Sequence, residues 1–275
     1  MSGADFFDVV EINSYSHGHD RIDRNQARAD FAAIQTALRQ AGVAIHQTPS
    51  PPDCQDAIFT ANWGLVRGDT AVLSSLPPQR QAETPYAEAA LRSLGKRIIK
   101  PPYRFSGQGD ALPIGNTLFV GSHYRTDPRM HQFLADQLGY DVISLEAVPE
   151  RNAAGQPVIN QLTGWPDSFF YDLDLAISIL TPNLIAWYPG AWTEESAAKI
   201  RATPFQKIEV TRQEAVEEFA CNLVSSGHTV IMSAQAPKLA AAITAHGLNV
   251  IPVDVRELSK GGGFIRCTTL TLDNY

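Results

Sequence analysis

The feature that most limits what this chain can fold into is a spacing. Five polar residues, Asn62, Asp110, Asp174, Asn222 and Cys267, each stand at the head of a strand pattern, at intervals of 48, 64, 48 and 45 residues. Apolar runs over 58–66 and 70–73 flank the turn Arg67-Gly68-Asp69, and runs over 111–113 and 117–120 flank Gly115-Asn116. Runs over 173–179 and 185–188 flank Pro182-Asn183, and runs over 221–224 and 229–232 flank Ser226-Gly227-His228. A last strand is expected over 265–272. Each pair carries turn chemistry at its centre. Apolar residues at helical spacing predict helices over 24–40, 82–94, 128–138, 194–202, 212–219 and 237–246, four of them stopped by a glycine just past the end. A strand, turn, strand, helix unit repeated about five times predicts radial repetition, with every polar opener brought to one axis. A three-layer α/β fold whose polar residues merely start strands fits the same pattern. No linker or low-complexity stretch divides the chain, so residues 1–275 are expected to form a single domain.

Composition narrows the function. Hydrophobic residues are 44 % of the chain, which excludes disorder for the bulk. The net charge is -7, which argues against nucleic acid as a partner, since that needs a basic face. No apolar run approaches the ~18–20 residues of a membrane span, and the first ten residues lack the basic start and apolar core of a secretory leader. Three scattered cysteines suit neither a disulfide framework nor a zinc site, and a reducing cytoplasm is the expected location.

Several stretches carry chemistry. Lys260-Gly261-Gly262-Gly263 leads through Phe264-Ile265-Arg266 to Cys267, a glycine loop that lets the backbone approach a ligand and delivers a thiol. A thiolate is a covalent nucleophile, and nearby Lys260 or Arg266 would favour it; a buried structural cysteine is the plainer reading. Phe105-Ser106-Gly107-Gln108-Gly109-Asp110 is a second glycine-rich turn ending in an acid, without the helix a dinucleotide site requires. Asp172-Leu173-Asp174 sets two carboxylates on one face of a strand, suited to a guanidinium, a shared proton or a metal, or else to a solvent-facing edge. Arg80 and Arg125 are candidates for clamping a carboxylate. Of the histidines, including His17 and His19, none falls in a metal-ligand spacing, and His123 alone lies near a candidate motif.

Taken in order, these stretches resemble the guanidino-group modifying superfamily of arginine deiminases, dimethylarginine dimethylaminohydrolases, arginine dihydrolases and amidinotransferases. The resemblance rests on residues 56–66, 105–112, 121–127 and 170–174 and on the cysteine motif at 261–270, over nearly the whole chain. It implies a five-bladed pseudo-symmetric α/β propeller, the pentein fold. It implies an arginine-type small-molecule substrate, no metal or organic cofactor, and is compatible with a homodimer. It also implies a covalent thiouronium intermediate on Cys267, a guanidinium held by Asp174 and Asp110, and a substrate carboxylate held by Arg125 and Arg80. Asn62 stands where deiminases carry an aspartate and dihydrolase-like members an asparagine, and the resemblance implies that it too binds the substrate.

Two positions depart from the pattern. Ser106 occupies the place of the orienting glutamate, and Asp172 the place of the histidine that protonates the leaving amine and activates water. An ordinary aspartate, titrating near about 3.9, is a poor acid for an amine at neutral pH. A carboxylate neighbour such as Asp174 resists double ionisation and restores acid character. Asp172 as catalytic acid and base, Asp172 as a second anion for a more cationic substrate, and His123 as a substitute base are all consistent with this. Three functional expectations follow: a cysteine hydrolase or amidinotransferase, a non-catalytic binder of arginine derivatives, and an enzyme redirected to another substrate.

Overall fold

The computed structural model describes residues 1–13, 16 and 21–272. Four units repeat one plan. Strands β1 (Gly64–Arg67) and β2 (Thr70–Leu73) pair antiparallel, helix α2 (Thr84–Ser93) crosses over, and β3 (Arg97–Ile99) returns parallel to β2. The second unit is β4 (Ala111–Ile114), β5 (Thr117–Gly121), α3 (Arg129–Leu138) and β6 (Asp141–Leu145). The third is β7 (Ile177–Thr181), β8 (Leu184–Trp187), α4 (Glu194–Ala202) and β9 (Gln206–Glu209). After α5 (Arg212–Glu217), the fourth runs through β10 (Val224–Ser225), β11 (Thr229–Ser233), α6 (Pro237–Ala245) and β12 (Asn249–Val253). Each sheet is three-stranded and ordered by sequence. The fifth sector is shared by the two ends of the chain. Helix α1 (Arg24–Gln40), a parallel bridge between Ser2 and Thr48, short α7 (Arg256–Ser259) and the turn carrying Cys267 complete it. The result is a five-bladed α/β propeller, as the spacing and the resemblance imply.

The first strands face the axis. β7 touches both β4 and β10, and the turns ahead of the strands meet one another. α1 forms because Asp23 caps the amides of Asn25 and Gln26 and because Phe31, Ile34 and Leu38 share one face. That face packs into a core with Phe7, Ile58, Val255 and Leu258. Burial of such side chains contributes about 1.5–3 kcal/mol each.

The openers are not strand residues. Thr60–Trp63, Gly107–Gly109, Leu173–Leu175 and Arg266–Thr268 are single 3-10 turns. The strands expected over 58–66, 173–179 and 265–272 are therefore shorter or absent. An opener in a turn can aim its side chain across the axis, where a pleated strand would alternate faces.

Candidate active site

Five openers do converge. Asn222 Nδ2 lies 3.1 Å from Cys267 Sγ, and Asn222 Oδ1 accepts from the Cys267 amide at 3.2 Å. The thiol reaches Asp174 Oδ2 at 3.4 Å. Asn62 Nδ2 donates to Asp172 Oδ2 at 2.8 Å. Asp110 accepts from the Thr126 hydroxyl and the Leu173 amide. Asp110, Asp172, Asp174 and Cys267 are each at most 4 % exposed. Asp172 and Asp174 thus point inward together, and the alternative of a solvent-facing edge is removed.

Cys267, Asp172, Asn62, Arg80, Arg125 and Asp56 line one small cavity. Asp174 borders a separate cleft beside Ser178 and Arg266 while contacting the thiol. Glycine is required at two points. A Cβ on Gly109 would sit 2.5 Å from Asn62 Nδ2 and 2.6 Å from Asp172 Oδ2, and Gly262 takes a φ of +84° in the loop before Cys267. The Gly262 carbonyl accepts the Tyr171 hydroxyl, which pins that loop.

Burial dominates the electrostatics. It pushes the Cys267 thiol well above its ordinary range, and Asp174 adds to the effect, so the resting sulfur keeps its proton. Burial also pushes Asp110 and Asp174 well up, with Asp172 as the nearest added negative charge. Arg266 does not activate the thiol by direct pairing: its guanidinium donates to the carbonyl and hydroxyl of Thr269, to Thr271 and to Gln108. Lys260 bonds Glu257 and the Arg21 carbonyl instead.

The two arginines differ. Arg80 is committed to the protein: Nε and Nη2 reach Glu83 at 2.7 and 2.9 Å, Nη1 reaches Asn62 Oδ1 at 2.9 Å, and Nη2 also serves the carbonyls of Asp56 and Phe59. Arg125 stacks 4.3 Å from the Tyr171 ring centroid and donates to the Ile12 carbonyl at 2.8 Å. It has no carboxylate partner among the described residues, and it lines the cavity.

His123 is not brought to the site. Its backbone adopts a φ of 78°, Arg104 anchors its carbonyl at 2.7 Å, and its ring points outward to 3.9 Å from Glu146. The expectation of a substitute base at His123 is corrected on that geometry. His17 and His19 lie outside the described residues.

Sequence reasoning missed Asp56, Asn13 and Asn222 as site residues. Asp56 is buried, its Oδ1 has no partner among the described residues, and burial raises its carboxyl to about 7. Its place at the start of the 56–66 motif was the available signal. Asn13 Nδ2 donates to the Gly261 carbonyl and forms part of the cavity wall. Asn222 was legible as an opener but carried no assigned role. No group of three or more His, Cys, Asp or Glu fit to hold a metal occurs among the described residues.

Comparison with known proteins agrees with this geometry. The family model described as N,N dimethylarginine dimethylhydrolase, eukaryotic, matches residues 10–101 and 110–273. The chain is 30 % identical over 274 residues to the N(G),N(G)-dimethylarginine dimethylaminohydrolase of Mycobacterium tuberculosis, covering 99 % of this chain and 84 % of that protein. It is 31 % identical to the bifunctional arginine dihydrolase/ornithine cyclodeaminase AgrE of Nostoc sp., over 98 % of this chain but only 37 % of that longer protein. The substrate-bound N-terminal domain of ArgZ, a cyanobacterial arginine dihydrolase, superimposes with a TM-score of 0.88 at 27 % identity, covering 100 % of this chain and 97 % of that domain. With two stretches spanning most of its length matched to one family model, and an axial cysteine among buried acids, the chain belongs to the dimethylarginine dimethylaminohydrolase family within the guanidino-group modifying superfamily.

Proposed function

We propose that this protein is a cytoplasmic hydrolase that uses Cys267 to cleave the guanidino group of an arginine-like α-amino acid. The observation that carries this reading is the placement of Cys267 in a cavity lined also by Arg125 and by Asp56 and Asp172, whose Oδ1 atoms are buried with no partner among the described residues. A zwitterionic amino acid with a cationic tail matches that charge pattern. Arg125, held flat by Tyr171, takes the substrate carboxylate in a fork-to-fork geometry. Asp56 takes the α-ammonium. Asp172 in the cavity wall and Asp174 against the thiol share one proton, and the negative charge they retain draws the guanidinium over the sulfur.

The cation itself activates the nucleophile. Its charge offsets the carboxylates that hold the thiol protonated, and the thiol proton passes to Asp174, which it already contacts at 3.4 Å. Sulfur then bonds to the guanidinium carbon. The C–N bond to the leaving amine breaks as Asp172 supplies a proton to that nitrogen. Water next gives a proton to Asp172 while its oxygen bonds to the same carbon, and the C–S bond breaks as Asp174 returns its proton to the Cys267 sulfur and the product sheds its remaining extra proton to the departed amine.

A second reading is favoured by one observation: no histidine lines the cavity among the described residues. On that reading the protein binds arginine derivatives without consuming them. A mass-spectrometric assay separates the two. Wild type and Cys267→Ser meet arginine, methylated arginines, citrulline, agmatine and guanidinoacetate. Product from the wild type alone supports the hydrolase, and ligand-induced stabilisation with no product at pH 5–9 replaces it with the binder.

A further inference from the structure

We infer that Asn62 acts through Asp172 as a positioning residue, and is not a ligand of the substrate. The inference rests on the reading of Asp172 as the proton-transfer group. Arg80 Nη1 meets Asn62 Oδ1 at 2.9 Å. A guanidinium carries only donors, so this contact settles which end of the amide is oxygen. The amide nitrogen must face the other way, where it meets Asp172 Oδ2 at 2.8 Å and Ser106 Oγ at 3.0 Å, acceptors both. Arg80 is itself immobile, since Glu83 holds it through two bonds and Trp63 Nε1 holds Glu83 at 2.9 Å. The series Trp63, Glu83, Arg80, Asn62, Asp172 is buried throughout.

This arrangement has two consequences. The Asn62 amide is engaged at both ends, and the end nearest Asp172 is a donor, which opposes a guanidinium. Asp172 Oδ2 receives a hydrogen, so any proton the carboxyl carries sits on Oδ1. That oxygen has no partner among the described residues, and Asp172 lines the Cys267 cavity. Gly109 packs against the same contact, where a Cβ would strike both Asn62 Nδ2 and Asp172 Oδ2. The carboxyl is therefore a one-sided donor and acceptor. The proton leaves Oδ1 for the departing nitrogen as C–N breaks, and returns to Oδ1 from water as C–O forms. Ser106 suits this role because its hydroxyl shares the Asn62 amide without placing a further charge beside Asp172.

The test uses the full chain with Asn62→Ala and Asn62→Asp. The second is isosteric and keeps an acceptor for Arg80, but sets a carboxylate oxygen in place of the donor to Asp172, so it remains informative if the alanine variant fails to fold. Positioning losses of this kind reach about 100-fold in rate, so kcat is expected to fall by about that factor with KM nearly unchanged. In an Asp172→Asn background neither Asn62 variant lowers kcat further. In a Cys267→Ser background the calorimetric Kd for arginine is unchanged by Asn62→Ala. A Kd weakened about tenfold or more (~1.4 kcal/mol) makes Asn62 a substrate ligand and overturns the inference, as do additive kcat losses. Wild-type turnover by Asp172→Asn instead overturns the role of Asp172. A readout free of turnover is the infrared carboxyl signal that Asp172→Asn removes. It is expected to shift in Asn62→Ala, and an unshifted signal overturns the contact on which the inference stands.

Discussion

Replacing Arg80 by methionine removes the charge from a buried ion pair while keeping much of the aliphatic volume. Arg80 is 3 % and Glu83 1 % exposed, with Nε to Oε1 at 2.7 Å. Removing one partner of such a pair strands the other charge and costs about 3–5 kcal/mol. The Asn62 side-chain oxygen and the carbonyls of Asp56 and Phe59 lose a donor as well, at about 1 kcal/mol for a typical bond. A loss of about 5 kcal/mol lowers Tm by roughly 10–20 °C for a chain of this size. The assay is urea unfolding followed by fluorescence and circular dichroism, with coincident transitions required before ΔG is extracted. The informative companion is Arg80→Met with Glu83→Leu. Replacing both charges with apolar groups is often neutral, so the double variant is expected to regain most of the loss, less about 1 kcal/mol for the Trp63 indole left without its acceptor. A cost under about 1 kcal/mol for Arg80→Met, or additive losses in the double variant, would refute the claim that this pair is a desolvated structural unit.

Three further outcomes follow from the same site. Burial lifts the Asp56 carboxyl from 3.8 to about 7, so the folded chain holds a proton the unfolded chain has shed; that stabilisation is full below pH 4 and is lost as pH rises through 7. Asp56→Asn is therefore expected to raise Tm at pH 8 and leave it unchanged at pH 4, and an equal shift at both would count against it. Alkylation of Cys267 by iodoacetamide should rise about tenfold per pH unit through pH 8–9 without levelling, and faster in Asp174→Asn, because burial and Asp174 hold the thiol up; a plateau below pH 8 would contradict this. Gly109→Ala forces a methyl against Asn62 and Asp172 and is expected to lower kcat about 100-fold, with the fold checked by circular dichroism; full activity would mean that Asp172 need not stay in place.

The chain wrote its architecture unevenly. The helices over 24–40 and 194–202 and the strand over 70–73 were legible to the residue, because a capped, periodic or turn-bounded segment is a local signal. The third strand of every sheet was not. β3, β6, β9 and β12 are half-exposed edge strands, and a sheet edge that buries little leaves little alternation to read. At the site, Cys267, Asp174, Asp110 and Asn62 were legible because the repeat sends them to one axis, and Asp172 because it stands two residues before Asp174. Arg80 and Arg125 looked alike in sequence. What separates them is Glu83 three residues past the first and Tyr171 beneath the second, and only the latter relation is hidden by distance along the chain. His123 failed as a candidate because a left-handed turn reverses the direction its neighbours imply.

The shared fifth sector has a bearing on how the molecule comes to be folded. Glu257 bonds the Asp23 amide across 234 residues, Asp30 answers to the Glu257 amide across 227, and Thr60 reaches the Thr268 carbonyl across 208. The entropy of closing so long a loop must be met before any of these contacts rewards it, which makes ring closure a late and slow event. The nucleophile arrives with that event. Four sectors can mature as local ββαβ units, each carrying its acid or amide, while the thiol stays apart from them. Assembly of the reactive constellation and completion of the native topology then coincide, so a partly folded molecule is chemically silent.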